Sequence, residues 1–326
     1  MEVTSPVQYQ VLQRDETGHA DIPIAGRLPD GVWDVEARYA GGSWTTIATA
    51  AASTFSGILP AQPQGRATLQ VRRKAVGFVA AIASVPFLGI GEVLACGGQS
   101  NCSGFLINNQ VFTGSDCSML GNDYTWKACE DPTDSFFGQI DEVSRDTGAS
   151  GARGSVWPLV MTNLSNTLAG VPVAFIPAAL GGSSINAWQC AADHFDRSTL
   201  CGSMLYRARR SGVRAILWWQ GESDAIAGMS AAAYQAKLEA LADVVFAETG
   251  APLIVCLLQN SAGIADAAEN QIRSAALAAA SANPHVLLGP DLSDISSEDD
   301  FHVRTDALAA VVAQRWADAI EARFGW

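Results

Sequence analysis

Ser100 sits in Gly97-Gly98-Gln99-Ser100-Asn101, directly after the apolar run Glu92–Cys96. Two glycines let a chain turn sharply off a strand and expose the hydroxyl, which is what a serine nucleophile requires. An ordinary strand-to-loop turn has the same composition, so the stretch alone decides nothing. A nucleophilic serine also needs a base. Of the four histidines, His19 lies among short alternating segments, His285 opens an apolar run, and His194 and His302 lie in polar loops. His302 is in Ser-Ser-Glu-Asp-Asp-Phe-His, with Asp299 three residues before it. One turn of chain at that spacing brings a carboxylate to the ring Nδ1 and leaves Nε2 free to take a proton. Asp300 and Glu298 compete for the orienting role, and an incidental histidine in an acidic surface loop is the plain alternative.

Acyl transfer further needs donors converging where negative charge develops. The Ser100 N–H, the N–H of Gly181 or Gly182 in "AALGGSSINAW", and the Gln220 amide in "WWQGESDA" are the candidates. The residues suited to substrate contact are Gln99, Asn101, Ser183, Trp188, Glu222 and Asp224, with Gln99 and Asn101 also suited to holding the turn. Trp218 and Trp219 end an apolar run and project to opposite faces, so at least one belongs to a core. No Cys-x-x-Cys occurs and the histidines are far apart, which argues against a metal site. No organic cofactor is implied.

These stretches are useful only if one architecture gathers them. From Val7 to Val71 the chain alternates apolar and polar residues in short segments broken by turn signals such as Leu-Pro-Asp-Gly, the pattern of an antiparallel sandwich. After Gly91 it changes to near-continuous apolar runs separated by helical stretches: 92–96, 171–178, 213–220, 252–259 and 285–289. Such runs imply a parallel sheet covered on both faces, with ligands at the carboxyl ends of its strands. A helix is expected over Ser230–Thr249, with Ser230 as N-cap and Gly250 as stop. A last helix from about Thr305 carries Leu308, Val311, Val312, Trp316 and Ile320 on one face. The expected division is a β-sandwich over residues 1–88 and an α/β domain over 89–326. The apolar segment "AVGFVAAIASVPFLGIGEV" either completes the first or leads into the second.

The chain has 326 residues, is 48% hydrophobic, and carries a formal charge of −13. That acidity, with no Lys/Arg run longer than Arg72-Arg73-Lys74, excludes nucleic acid as an expected partner and disfavours anionic ligands. No apolar run approaches the roughly 18 residues of a membrane span. The first twenty residues do not read as a signal peptide. Among the seven cysteines, Cys117 with Cys129 and Cys190 with Cys201 bracket polar stretches that a disulfide could close, whereas Cys96 and Cys256 read as buried.

Taken together, "GGQSN", "GGSSINAW", "WWQGESDA" and "DDFH" occur in the order of the sequence blocks of SGNH hydrolases. They most resemble the carbohydrate acetylesterase branch that includes sialate O-acetylesterase-like and acetylxylan esterase proteins. The resemblance covers about residues 92–326 and implies a three-layer α/β/α, flavodoxin-like parallel sheet. It also implies Ser100 as nucleophile, His302 as base, Asp299 as orienting acid, and Ser100, Gly181/Gly182 and Gln220 as the oxyanion hole. An acetylated carbohydrate is then the expected substrate, with a secreted or periplasmic location favoured by that substrate class. A lipase or thioesterase of the same superfamily and a non-catalytic glycan-binding protein are the rival expectations. Cys102 departs from the methionine usual in the family, and reads as packing or half of a disulfide.

Overall fold

A computed structural model describes residues 1–75, 78–147 and 153–326. Eight strands come first: β1 (Glu2–Ser5), β2 (Val11–Gln13), β3 (His19–Arg27), β4 (Trp33–Tyr39), β5 (Thr45–Ala51), β6 (Thr54–Pro63), β7 (Gly65–Ala75) and β8 (Phe78–Gly98). Their alternation is read out in burial. Leu69 and Val71 of β7 point inward while Gln70 and Arg72 point outward, and Ile22 and Ile24 of β3 alternate with Asp21 and Pro23 in the same way. Ile22, Ile24, Leu59, Val35, Leu69 and Leu88 meet in one apolar cluster between the three-stranded sheet β1-β3-β6 and the strands β4, β7 and β8.

The second half contains β9 (Cys117–Leu120), β10 (Trp126–Ala128), β11 (Val173–Ile176), β12 (Ala215–Trp219), β13 (Leu253–Leu257) and β14 (Val286–Asp291). Its helices are α1 (Ser100–Ser103), α2 (Trp157–Thr167), α3 (Leu200–Ala208), α4 (Glu222–Ile226), α5 (Ala231–Thr249), α6 (Asp266–Ala282) and α7 (Asp306–Phe324). The strands run in the order β10-β9-β11-β8-β12-β13-β14, and every neighbouring pair from β9 to β14 is parallel. Every residue of β11, β12 and β13 is buried, which is why those segments read as unbroken apolar runs.

The ambiguous segment does both things at once, apart from Val76 and Gly77, which lie outside the described residues. The first part of β8 pairs antiparallel with β7 as far as Ile90, and the part from Glu92 pairs parallel with β11 and β12. One strand therefore carries both pairings, and β4, β5 and β7 join a mixed sheet of 11 strands. Glu92, 1% exposed at the crossover, accepts from Arg14 at 2.6 Å and Arg214 at 2.7 Å, binding the β2 side to the parallel strands.

Trp218 and Trp219 do alternate, and both are core. Trp219 meets Trp316 of α7, while Trp218 meets Tyr234 of α5 and Trp188. α5 begins with the Ser230 hydroxyl accepting from Ala233 N–H and ends at Gly250 in the left-handed conformation. α7 buries Val312, Trp316 and Ile320, but Val311 is exposed because a 3.6-residue period carries it off the packed face. Among the described residues no helix is long and apolar enough to cross a membrane. Cys190 and Cys201 form a disulfide, whereas Cys117 and Cys129 are free thiols at the end of the β9–β10 pairing.

Candidate active site

The strand exits expected to converge do so at the carboxyl ends of β8, β11 and β12. Gln99 N–H donates to the carbonyl of Trp219 at 3.1 Å, and Leu180 N–H donates to that of Gly98 at 3.0 Å. Gly98 takes φ +146°, and a Cβ there would lie 2.1 Å from the Trp219 carbonyl oxygen. Only glycine lets β8 turn off at this point. The turn leads straight into α1, with Ser100 as its first residue.

The hydroxyl of Ser100 lies 2.9 Å from Nε2 of His302. On the other side of that ring, Nδ1 lies 3.2 Å from Oδ1 and 3.3 Å from Oδ2 of Asp299. The three groups thus stand in line as hydroxyl, imidazole and carboxylate, the arrangement a serine nucleophile requires. Asp299 is held by its own loop, since Oδ1 accepts from the N–H groups of Phe301 at 2.8 Å and His302 at 2.6 Å, and Oδ2 accepts from Arg304 at 3.0 Å. Burial raises the Asp299 carboxyl, but these donors together with the His302 charge outweigh it and hold it at about 2. Burial lowers the His302 imidazole below its ordinary value. Asp299 pulls it back up, and Arg304 and Arg153 add to the lowering. The other acids of the loop are placed elsewhere. Glu298 accepts from Arg304 and Thr305 N–H at the start of α7, and Asp300 is exposed. His194 pairs with Glu248, His285 with Asp243, and His19 stays beside Thr17.

A cavity of about 330 Å³ opens over this set, lined by Gln99, Ser100, Gly182, Ser223, Ile226 and Phe105 among others. Phe105 stacks on the His302 ring with centroids 3.6 Å apart and so shields one face of the imidazole. The N–H groups of Ser100 and Gly182 have no protein acceptor among the described residues, while that of Gly181 donates to Asp146 at 3.2 Å.

Gln220 departs from expectation. Its Nε2 faces three protein acceptors: Gln99 Oε1 at 3.2 Å, the Ser183 carbonyl at 3.0 Å and Asp224 Oδ2. An amide nitrogen has two hydrogens, so nothing remains for a group in the cavity, which Gln220 does not line. The expectation of Gln220 as an oxyanion donor is corrected on that count.

Of the six expected substrate contacts, Gln99 and Glu222 line the cavity. Trp188 is fully buried, edge-on to Trp218, with its N–H donated to the Ser183 hydroxyl at 2.9 Å. Ser183 in turn bonds backbone carbonyls, and Asp224 accepts from Gln220 and Ile185 N–H. These three belong to the wall because their side chains are buried and do not line the cavity.

Asn101 is a tie rather than a contact. Its Nδ2 donates to Glu222 at 2.8 Å and to the Phe301 carbonyl at 3.1 Å, and its Oδ1 accepts from Val303 N–H at 3.1 Å. Gln259, at the end of a strand-like run, repeats the bridge to Glu222 and Phe301. Its position as the one polar residue closing an apolar strand was the signal that could have singled it out. Asn101 and Gln259 therefore fix the His302 loop to the Ser100 turn. Asn101→Ala leaves the Val303 N–H unpaired, at about 1–3 kcal/mol, and loosens the His302 loop by an amount for which about 10²-fold in rate is typical. A lower melting temperature and a fall of that order in turnover are expected from thermal melts and steady-state kinetics on one preparation. An unchanged turnover would remove Asn101 from the positioning of the base.

Cys102, fully buried, directs its thiol to the Gly97 carbonyl at 3.4 Å. Burial raises that thiol far above its ordinary value, so it is a packing residue and neither a second nucleophile nor a disulfide partner.

Residues 91–322 match the family described as carbohydrate esterase, sialic acid-specific acetylesterase, and the chain belongs to that family. It is similar in fold to a carbohydrate acetylesterase from Xanthomonas citri, at a TM-score of 0.65 and 20% identity over 97% of this chain and 73% of that one. A protein from Arabidopsis thaliana is similar at a TM-score of 0.57 and 20% identity, over 72% of this chain and 99% of that one. No curated protein sequence matches.

Proposed function

We propose that this carbohydrate esterase removes O-acetyl groups from a carbohydrate through an acetyl-serine intermediate on Ser100. The observation that carries the reading is the 2.9 Å approach of Ser100 Oγ to His302 Nε2, with Asp299 behind the ring. Ser100 Oγ attacks the acetyl carbonyl carbon as its proton passes to His302 Nε2. The resulting oxyanion is met by the N–H groups of Ser100 and Gly182. The tetrahedral intermediate collapses with cleavage of the bond to the sugar oxygen, which takes the proton from His302. Water, deprotonated by the same nitrogen, then attacks the acetyl-enzyme and releases acetate. Membership of the family supports a sialic acid or another acetylated glycan as the substrate. The sheet order and the helix contacts on both faces of β12 support a three-layer SGNH arrangement over residues 89–326, with residues 1–88 as an accessory β-domain. The Cys190–Cys201 disulfide supports an oxidising, extracytoplasmic setting.

A cavity of about 330 Å³ is at the small end for ligand pockets and suits a short acyl group better than a long chain. Acetate release from p-nitrophenyl acetate is therefore expected to exceed hydrolysis of the octanoyl ester by at least about tenfold in kcat/KM, the discrimination that hydrophobic fit commonly supplies. A preference for octanoyl would make the protein a lipase-like esterase instead. Failure of a fluorophosphonate to label Ser100 would leave a glycan-binding protein.

A further inference from the structure

Gln99, immediately before Ser100, has one end of its amide fixed. Its Oε1 accepts from Gln220 Nε2 at 3.2 Å, Gly221 N–H at 3.3 Å and Ser223 N–H at 3.2 Å. Two of those donors are backbone N–H groups, so the assignment of oxygen and nitrogen in this amide is forced. The carbonyl end faces the β12–α4 turn and the NH2 end faces away from it. The side chain is only 4% exposed, and it lines the cavity beside Ser100 and Gly182. Its Nε2 has no acceptor among the described residues, yet it is not one of the sealed, unpartnered polar atoms. A buried amide donor held rigid at the cavity wall, next to the nucleophile and without a partner among the described residues, is preorganised for an acceptor that arrives with the substrate.

We propose that the Gln99 side-chain amide donates to the oxyanion of the reacting acetyl group, together with the N–H groups of Ser100 and Gly182, and that Gln220 serves to position Gln99. The assignment rests on the acyl-enzyme reading above. Gln220 then has a reason to be where it is. Asp224 and the Ser183 carbonyl orient its NH2 toward Gln99 Oε1, and Tyr234 holds its carbonyl side at 3.0 Å. The chain runs from Asp224 through Gln220 to Gln99, so the outer groups reach the reacting carbonyl only through Gln99.

The test compares Gln99→Glu, Gln99→Met, Gln220→Met and the double variant Gln99→Met/Gln220→Met with the wild type, on p-nitrophenyl acetate and with a fluorophosphonate. Gln99→Glu keeps an oxygen for the three donors but turns a second carboxylate oxygen toward the oxyanion. Gln99→Met keeps the length and removes the donor. Both are expected to lose about 10²–10³-fold in kcat, the usual effect of deleting an oxyanion donor, with KM within about threefold. The rate of Ser100 phosphonylation should fall in parallel, and the melting temperature of Gln99→Glu should stay close to the wild type. The double variant should be no slower than Gln99→Met, because residues acting through one group are not additive. Gln99 variants retaining kcat within about threefold, losing KM alone, or adding fully to the Gln220 loss would overturn the proposal. A wild type that neither hydrolyses the ester nor takes the label at Ser100 would instead overturn the esterase reading on which it rests.

Discussion

Ser100→Ala is expected to abolish labelling by a fluorophosphonate and to reduce ester hydrolysis by roughly 10⁴–10⁶-fold, the range seen when the nucleophile of a serine–histidine–aspartate set is removed. The reason is local. Ser100 Oγ makes its hydrogen bond to His302 alone among the described groups, so its loss should leave the fold intact and the melting temperature nearly unchanged. The neighbouring hydroxyl and thiol of α1 do not replace it. Ser103 and Cys102 lie in the same short helix but are 1% and 0% exposed, and the Cys102 thiol is held neutral by burial. Intact-mass measurement after the inhibitor, alongside steady-state rates, checks both halves of the expectation. Substantial residual turnover in the folded variant would place the nucleophile elsewhere and end the present mechanism.

Asp299→Asn has the second-largest expected effect, about 10³–10⁴-fold in kcat/KM, and it has a diagnostic shape in pH. An asparagine carbonyl can still accept from Phe301 and His302 N–H, so the loop should keep its path. Its NH2 would then face His302 Nδ1, which could no longer be the protonated nitrogen, and the hydrogen would move to Nε2, where the base must be free. In the native protein burial places the His302 pKa below its ordinary 6.5, with Asp299 acting in the opposite sense. The acid limb of kcat/KM, which reports the free enzyme, therefore falls below pH 6.5. Removing the Asp299 charge lowers the imidazole further, so the limb of the variant moves to still lower pH while the plateau drops. A plateau loss without that displacement would mean that Asp299 only shapes the loop.

The same carboxylate also bears on stability. Its folded pKa, about 2, is below the ordinary 3.8, so its contribution is complete above the unfolded value and is lost as the pH falls through about 2. In the neutral range, where the activity assay is run, that contribution does not vary.

Burial separates the parts of the candidate site that are legible in the sequence from those that are not. The Ser100 turn, the Asp299–His302 spacing and the glycine loop after β11 are local patterns. A positive φ at Gly98 or a three-residue reach from carboxylate to imidazole is set by neighbours in the chain. Trp188 and Asp224 were harder, because type and position suit a pocket wall as well as a pocket, and only the packing of Trp218 and Ser183 against Trp188 decides between them. Phe105 carries no local signature, and Gln259 only that of a polar residue closing an apolar run. Both reach the site from separate loops, far from His302 along the chain, that only the folded sheet brings beside it.

By itself the sequence determined the alternation that makes the early strands, the continuous apolar runs that make the buried parallel sheet, and the order of the chemical groups along the chain. These follow from side-chain period and short-range geometry. The tertiary structure decided that one strand, β8, is shared by the antiparallel and parallel pairings, since strand partners are chosen by contacts far apart in sequence. It also decided which end of which amide faces the cavity. Gln220 is consumed by three acceptors and Gln99 is left with its nitrogen unpaired among the described residues, and a balance that turns on a bond between residues 121 positions apart cannot be counted until the chain has folded.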